Sequence, residues 1–208
     1  MSLKCQKKKI MFKIEDYNGT QDLTDWYSAA ERKRYYNNSN PELLLSFLNT
    51  EEDAKLFLLY YKDRIVGNVA AHKLASLGIL GRNAYRIAAR VCVVHDLIEG
   101  EREYKSLRSV KHHINHDHIA AQFLFPACIE FAGKDNPLYI STHDSKVASQ
   151  RAVHERWAPY WKSIGLLDNP IELEYRGTFQ SFWKLNVPRF YETLKEQRWP
   201  EAQAVIPI

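Results

Sequence analysis

Apolar and polar side chains alternate over residues 10–17, with Phe12 and Ile14 set against Met11, Lys13 and Glu15, and this period of two predicts a strand. Leu23, Trp26, Tyr27 and Ala30 then recur at helical spacing. Pro41 opens a second short helix running through Leu48, because a first helical position does not need the N–H that proline lacks. Residues 55–61 form a strongly apolar β-type run, Lys62-Asp63-Arg64 turns it, and residues 65–72 run back. This is the clearest hairpin in the chain. Gly78 and Gly81-Arg82-Asn83 mark another turn. Residues 85–95 follow as one long strand, in which Val91, Cys92, Val93 and Val94 imply burial on both faces.

Residues 96–117 are polar and charged and carry no clear period. Residues 119–131 predict a helix kinked at Pro126 and stopped at Gly133. A short buried strand is expected over residues 138–141. Asp144 or Ser145 caps a helix reaching about Trp157, Pro159 breaks or restarts it, and the second piece ends at Gly165. Residues 171–175 and 179–187 make a last hairpin turned at Arg176-Gly177-Thr178, and residues 199–208 read as a tail that docks or frays. The element order is β-α-α-β-β-β-α-β-α-β-β. It predicts an α/β (α+β) domain with a mixed, mostly antiparallel central sheet flanked by helices. The β-α-β crossover in the middle should make its two strands parallel, with a right-handed connection. With no internal repeat or low-complexity linker, residues 10–190 read as a single domain between a basic N-terminal tail (1–9) and a C-terminal tail (191–208).

Composition changes this picture in few places. A chain of 208 residues with 45% hydrophobic content is long enough to bury roughly 70% of its unfolded surface. Twelve Tyr, nine Phe and five Trp supply core and pocket walls. The net charge of +4 is concentrated in Lys4, Lys7, Lys8 and Lys9, and setting these aside leaves 25 basic against 25 acidic residues. A near-neutral body gives no strong nucleic-acid signal. Cys5, Cys92 and Cys128 are odd in number and widely spaced, which argues against a disulfide framework and for a reducing compartment. No run approaches the roughly 18 apolar residues of a membrane helix, and the basic N-terminus lacks the apolar core of a secretory signal. The expectation is a cytoplasmic protein with no membrane partner.

Three local features resemble the GNAT superfamily of N-acyltransferases. They are the hairpin from Leu58 through Lys62-Asp63-Arg64-Ile65-Val66-Gly67 to Val69, the strand Arg86-Ile87-Ala88-Ala89-Arg90-Val91-Cys92-Val93-Val94, and the segment Tyr160-Trp161-Lys162-Ser163-Ile164-Gly165-Leu166. The resemblance covers residues 10–186 and implies a central strand and parallel neighbour that splay apart to admit acetyl-CoA or another acyl-CoA. It implies that Val91, Val93 and Val94 lend backbone to the pantetheine. It also implies a pyrophosphate site at the next helix N-terminus, where free N–H groups and the helix dipole favour anions. The family's glycine-rich pattern is replaced there, and Arg108 and Lys111 are the candidate phosphate ligands. His154 stands where the family has a cofactor-contacting asparagine. The family's usual acid, a tyrosine, aligns with Trp161, so the neighbouring Tyr160 is the candidate acid.

Acyl transfer to an amine needs a base of near-neutral pKa, and His95 or Glu99, just after the central strand, is the candidate. The implied acceptor is a small-molecule or peptide amine, and the reading leaves room for a homodimer. The alternative is a GNAT-fold binding protein without CoA chemistry, which the missing glycines and Trp161 favour. His112 and His116 are four apart and His113 and His118 lie beside them, but with no cysteine nearby and no H-E-x-x-H pattern they are not assigned as a metal site. Ser141, His143 and Asp144 lack a nucleophile elbow and more plausibly end a strand and cap a helix. Trp157, Tyr160, Trp161, Phe179, Phe182 and Trp183 pack the C-terminal half, where a small-ligand pocket could form.

Overall fold

The hairpin marked most clearly by the sequence lies in the buried part of the sheet. A computed structural model describes residues 12–32, 45–74, 78–87, 92–93, 123–142, 155 and 158–196. Strand β2 (Lys55–Tyr61) turns into β3 (Arg64–Lys73) through Lys62 and Asp63, with Lys62 in the left-handed region at φ 56°. Val66 is an extra residue in the ladder, between the Leu59–Gly67 and Tyr60–Ile65 pairs. Nearly every residue of both strands is buried, because each strand is covered on both faces.

Strand β1 (Phe12–Asp16) adds to the outer edge of β2. On the other side of β3 lie β4 (Tyr85–Ile87) and β5 (Cys92–Val93), both antiparallel to it. Strand β6 (Leu138–Thr142) runs parallel to β4, and β8 (Thr178–Lys184) and β7 (Ile171–Tyr175) complete the sheet. The order is β1-β2-β3-β4-β6-β8-β7, with β5 beside β3. The mixed, mostly antiparallel sheet and the parallel crossover pair agree with the sequence reading. The β7–β8 turn has Arg176 and Gly177 at φ 55° and 72°, the two positive values that match a tight hairpin to strand twist.

Helices cover both faces. On one, α3 (Phe125–Ala132), α4 (Ala158–Ser163) and α5 (Val187–Glu196) bury Phe125, Cys128, Ile129, Trp161 and Phe190 against Phe57, Val69, Ala71, Ile87 and Leu138. On the other, α1 (Thr24–Arg32) and α2 (Phe47–Thr50) bury Trp26, Tyr27 and Phe47 against Leu56, Leu58 and Ala70. A third cluster continues that second face over Tyr139, Tyr175 and Phe182. No described helix is long and apolar enough to cross a membrane.

Two local expectations need correction, and two others lie only partly within the described residues. Of the strand expected over residues 85–95, Tyr85–Ile87 and Cys92–Val93 are described strands, and their pairings to β3 differ in register by two. Of the helix expected over residues 119–131, Phe125–Ala132 is described as α-helix, with Pro126 in its first turn just after a π turn at Phe123 and Leu124. The last strand stops at Lys184 rather than continuing to residue 187. A helix, α5, then begins at Val187 and crosses positions 190 and 191, where the domain was expected to end. Its start is fixed by Asn186, whose Oδ1 accepts the Arg189 N–H at 3.1 Å. Val187, Phe190, Tyr191 and Leu194 carry the helical spacing that packs it inward.

Gly165 ends α4 as expected. At φ 78° it donates to the Lys162 carbonyl at 3.0 Å, while Leu166 donates to the Trp161 carbonyl at 2.8 Å. This paired Schellman closure satisfies two orphan carbonyls and is disfavoured for any residue with a Cβ. Arg189 Nε donates to the Ile164 carbonyl at 3.3 Å and so ties α5 to the same turn.

Candidate functional site

Among the described residues the parallel seam between β4 and β6 has three rungs: Tyr85–Leu138, Arg86–Tyr139 and Ile87–Ile140. Beyond Ile140, Ser141 and Thr142 are paired with β8 alone among the described residues. Cys92 and Val93 are paired with Asn68 and Gly67 of β3. From Ala71 to Asn68 the strand β3 advances three residues, while its partner advances five, from Ile87 to Cys92. Between these two pairings the partner chain therefore advances two residues more than β3.

Register places side chains on the two faces of this seam. Tyr85, Ile87, Val69 and Ala71 belong to the cluster under α3. Arg86, opposite His72 and beside Tyr139, lies on the other face, together with Ser141, Phe182 and Gln180. There, the buried Gln180 is an organising residue. Its Oε1 accepts from Arg86 Nη2 at 3.0 Å and from Ser141 Oγ at 3.3 Å. Its Nε2 donates to the Tyr175 carbonyl at 3.3 Å and to Thr178 Oγ1 at 3.1 Å. The Arg86 guanidinium lies 5.1 Å from the Tyr175 ring centroid and 5.9 Å from that of Phe182.

Three consecutive acids close the same end of the sheet. Glu51 ion-pairs with Arg176, accepts from Tyr175 Oη at 3.5 Å, and stands 3.6 Å from His72 Nδ1. His72 Nδ1 is also 3.0 Å from the Lys73 carbonyl, an acceptor that requires a proton on that nitrogen. Glu52 pairs with Lys73 at 2.8 Å, and Asp53, at φ 46°, accepts from Tyr85 Oη. Burial first, and then the Asp53 hydrogen bond and charge, push the Tyr85 phenol up to about 12 from 10. A folded-state pKa above the unfolded one contributes stability that is present below pH 10 and is lost as pH rises through about 12. Urea unfolding measured across this window is expected to show a falling stability in the parent protein and a flatter profile in Tyr85→Phe.

Of the sequence candidates, Val93 sits in β5, paired with Gly67. Tyr160 is half-buried on α4, packed against the main core. Val91, Val94, His95, Glu99, Arg108, Lys111 and His154 lie outside the described residues, as do His112, His113, His116, His118, His143, Asp144 and Trp157. The described members of the aromatic group do not form one pocket. Trp161 packs edge-on against Phe125 at 5.6 Å, Phe182 and Trp183 point to opposite faces of β8, and Phe179 is 72% exposed. Ser141 is buried on Gln180. Among the described residues no group of three His, Cys, Asp or Glu is placed to hold a metal. Sequence reasoning missed Arg86, Gln180, Glu51 and His72. A signal was available: Asn68, His72 and Gln180 are buried polar residues in strands otherwise read as apolar.

No protein-family model matches the sequence, and no curated protein matches it either. Solved structures do match in shape. A GNAT-family protein from Desulfovibrio desulfuricans aligns over 85% of this chain and 99% of its own, at TM-score 0.52 and 12% identity. FeeM, an N-acyl amino acid synthase from uncultured soil microbes, aligns over 88% and 94%, at TM-score 0.52 and 13% identity. A GNAT family acetyltransferase from Elizabethkingia anophelis with acetyl-CoA bound aligns over 84% and 97%, at TM-score 0.46 and 15% identity. The first two carry the comparison of folds.

Proposed function

We propose, from the premise that this chain has the GNAT acyltransferase fold, that it transfers an acyl group from acyl-CoA to an amine. The observation that supports this reading is the parallel β4–β6 pair inside an otherwise antiparallel sheet, followed by a register change of two residues between β4 and β5 along β3. The edge of β5 away from β3 fits the two amides of a pantetheine arm, with Val93 as one contributor and Val91 and Val94 as the expected others. Arg108, Lys111 and His154 are the residues assigned to the phosphates and the remaining cofactor contacts. Bound acyl-CoA supplies an activated thioester carbonyl. His95 or Glu99 takes the proton from the attacking amine nitrogen, and Tyr160 Oη returns a proton to the departing sulfur. α3 covers one face of β4 and β3, so the amine approaches from the face that carries Arg86.

The competing reading is a GNAT-fold binding protein without acyl transfer. Trp161, only 6% exposed where the resemblance places a hydroxyl donor, favours it. Acetyl-CoA and longer acyl-CoAs at a hundredfold excess over Kd should stabilise the native state by about 2.7 kcal/mol, a rise in melting temperature on the order of 5–10 °C. Amine-dependent release of free CoA thiol should accompany it. A shift without thiol release would favour the binding protein, and no shift at millimolar acyl-CoA would remove the acyltransferase reading.

A further inference from the structure

We infer that a cavity at the N-terminal ends of the parallel strands β4 and β6 is a binding site for a small zwitterion, a molecule carrying one carboxylate and one ammonium group. The cavity has a volume of about 320 Å³ and forms where three segments of the chain meet: the turn from α3 to β6, the approach to β7, and the link from β8 to α5. Its charged walls are Lys134 and Asp135 on the first segment, Asp168 on the second and Lys184 on the third. Pro137 also lines it, and the Pro137 carbonyl accepts the Tyr85 N–H at 2.8 Å, so the cavity adjoins the first rung of the seam. Tyr85 pairs with Lys73 of β3, whereas Val93 pairs with Gly67, roughly 20 Å further along that strand. The cavity is thus at the other end of the β3 ladder from Val93, and its occupancy does not depend on acyl transfer.

The backbone around the cavity is tied down on every side. Gly133, at φ 83°, ends α3, and the Asn136 N–H donates to its carbonyl at 3.0 Å. Asn136 Nδ2 donates to the Ala132 carbonyl at 2.6 Å, which fixes the turn that carries Lys134 and Asp135. The Asp168 N–H donates to the Lys184 carbonyl at 3.0 Å, the Leu185 N–H to Leu138 at 2.8 Å and the Asn186 N–H to Leu166 at 2.9 Å. The charged side chains are held differently. Among the described residues, those of Lys134, Asp135 and Lys184 make no ion pair or hydrogen bond. Asp168 is near enough to the Tyr139 phenol that, after burial, its charge raises that pKa, while Tyr139 Oη donates to the Leu80 carbonyl at 3.3 Å. All four charged residues are exposed, so they can reach a solute without first giving up a protein partner. Two cations and two anions therefore line one cavity whose formal charge is zero. A simple anion is drawn by the lysines and repelled by the aspartates, and a simple cation meets the reverse. A zwitterion satisfies both signs at once. The volume lies at the lower end of ligand cavities, roughly 300–1,000 Å³, which suits an amino acid or a dipeptide and is too small for a whole acyl-CoA.

The test uses glycylglycine as the zwitterion, with N-acetylglycine, which keeps only the carboxylate, and glycinamide, which keeps only the ammonium. Binding to the full chain is read by calorimetry or by NMR without acyl-CoA, so no transfer step enters the measurement. Glycylglycine is expected to bind on the order of 10-fold tighter than either single-charge probe, the lower end for a hydrogen bond to a charged group. Lys184→Met should bring glycylglycine down to the level of glycinamide, and Asp168→Asn should bring it down to the level of N-acetylglycine. Both positions are exposed, and the circular dichroism and melting temperature of each variant should match the parent. Equal binding of the three probes, tighter binding of either single-charge probe, or no binding of glycylglycine at millimolar concentration would overturn the assignment. A preference for glycylglycine that survives in both variants would place the peptide elsewhere on the protein and overturn it as well. If either variant fails to fold, Lys134→Met and Asp135→Asn, on the opposite wall, take its place with the same expected losses.

Discussion

Replacing Trp161 by alanine is expected to lower the unfolding free energy by about 3–5 kcal/mol, the range for deleting a large buried aromatic. The indole is 6% exposed and meets Phe125 edge-on at 5.6 Å; Phe125 in turn lies 6.1 Å from Phe190. One side chain on α4 thus joins α3 and, through Phe125, α5. Its carbonyl also accepts the Leu166 N–H that closes the helix. Chemical denaturation of Trp161→Ala against Trp161→Phe measures the effect, and the phenylalanine variant should keep more than half of the lost stability. A loss below about 1 kcal/mol would mean that the indole is not a core residue and would reopen a role for this position at the site.

Removing Glu51 should cost about 2–4 kcal/mol, while removing its ion-pair partner Arg176 should cost less than about 1 kcal/mol. The asymmetry follows from burial. The Glu51 side chain is 11% exposed and serves Arg176, Tyr175 and His72, whereas Arg176 is 55% exposed. Taking away the carboxylate leaves the Tyr175 hydroxyl without this acceptor and Arg176 without this partner; taking away Arg176 leaves a carboxylate that keeps its contacts to Tyr175 and His72. Urea unfolding of Glu51→Ala and Arg176→Ala, each alone, provides the comparison. Equal losses would show that the exposed pair, rather than the buried junction, holds the hairpin to the α2–β2 loop.

Legibility in the sequence tracked how local each feature is. The β2–β3 hairpin, Gly165 and the β7–β8 turn are set by neighbours in the chain, and each stands where the residues indicate. The helix at α5 has the same local spacing, but Trp183, Leu185 and Val187 also alternate, and the strand period hides the start at Asn186. The β4–β6 pairing is different in kind. Its register depends on a partner some 50 residues away, which no local pattern encodes. Arg86 reads as the polar side of a strand until Gln180, 94 residues later, is seen to hold it.

The parallel β4–β6 pair also bears on how the chain assembles. Strands β1 to β4 pair within residues 12–87, and β6 to β8 within residues 138–184. The parallel pair joins residues some 50 apart, so its loop-closure entropy exceeds that of either hairpin. Its formation is therefore expected to follow the hairpins, and the core under α3, which draws Phe57 and Val69 from one half and Leu138 and Trp183 from the other, stabilises the closed sheet.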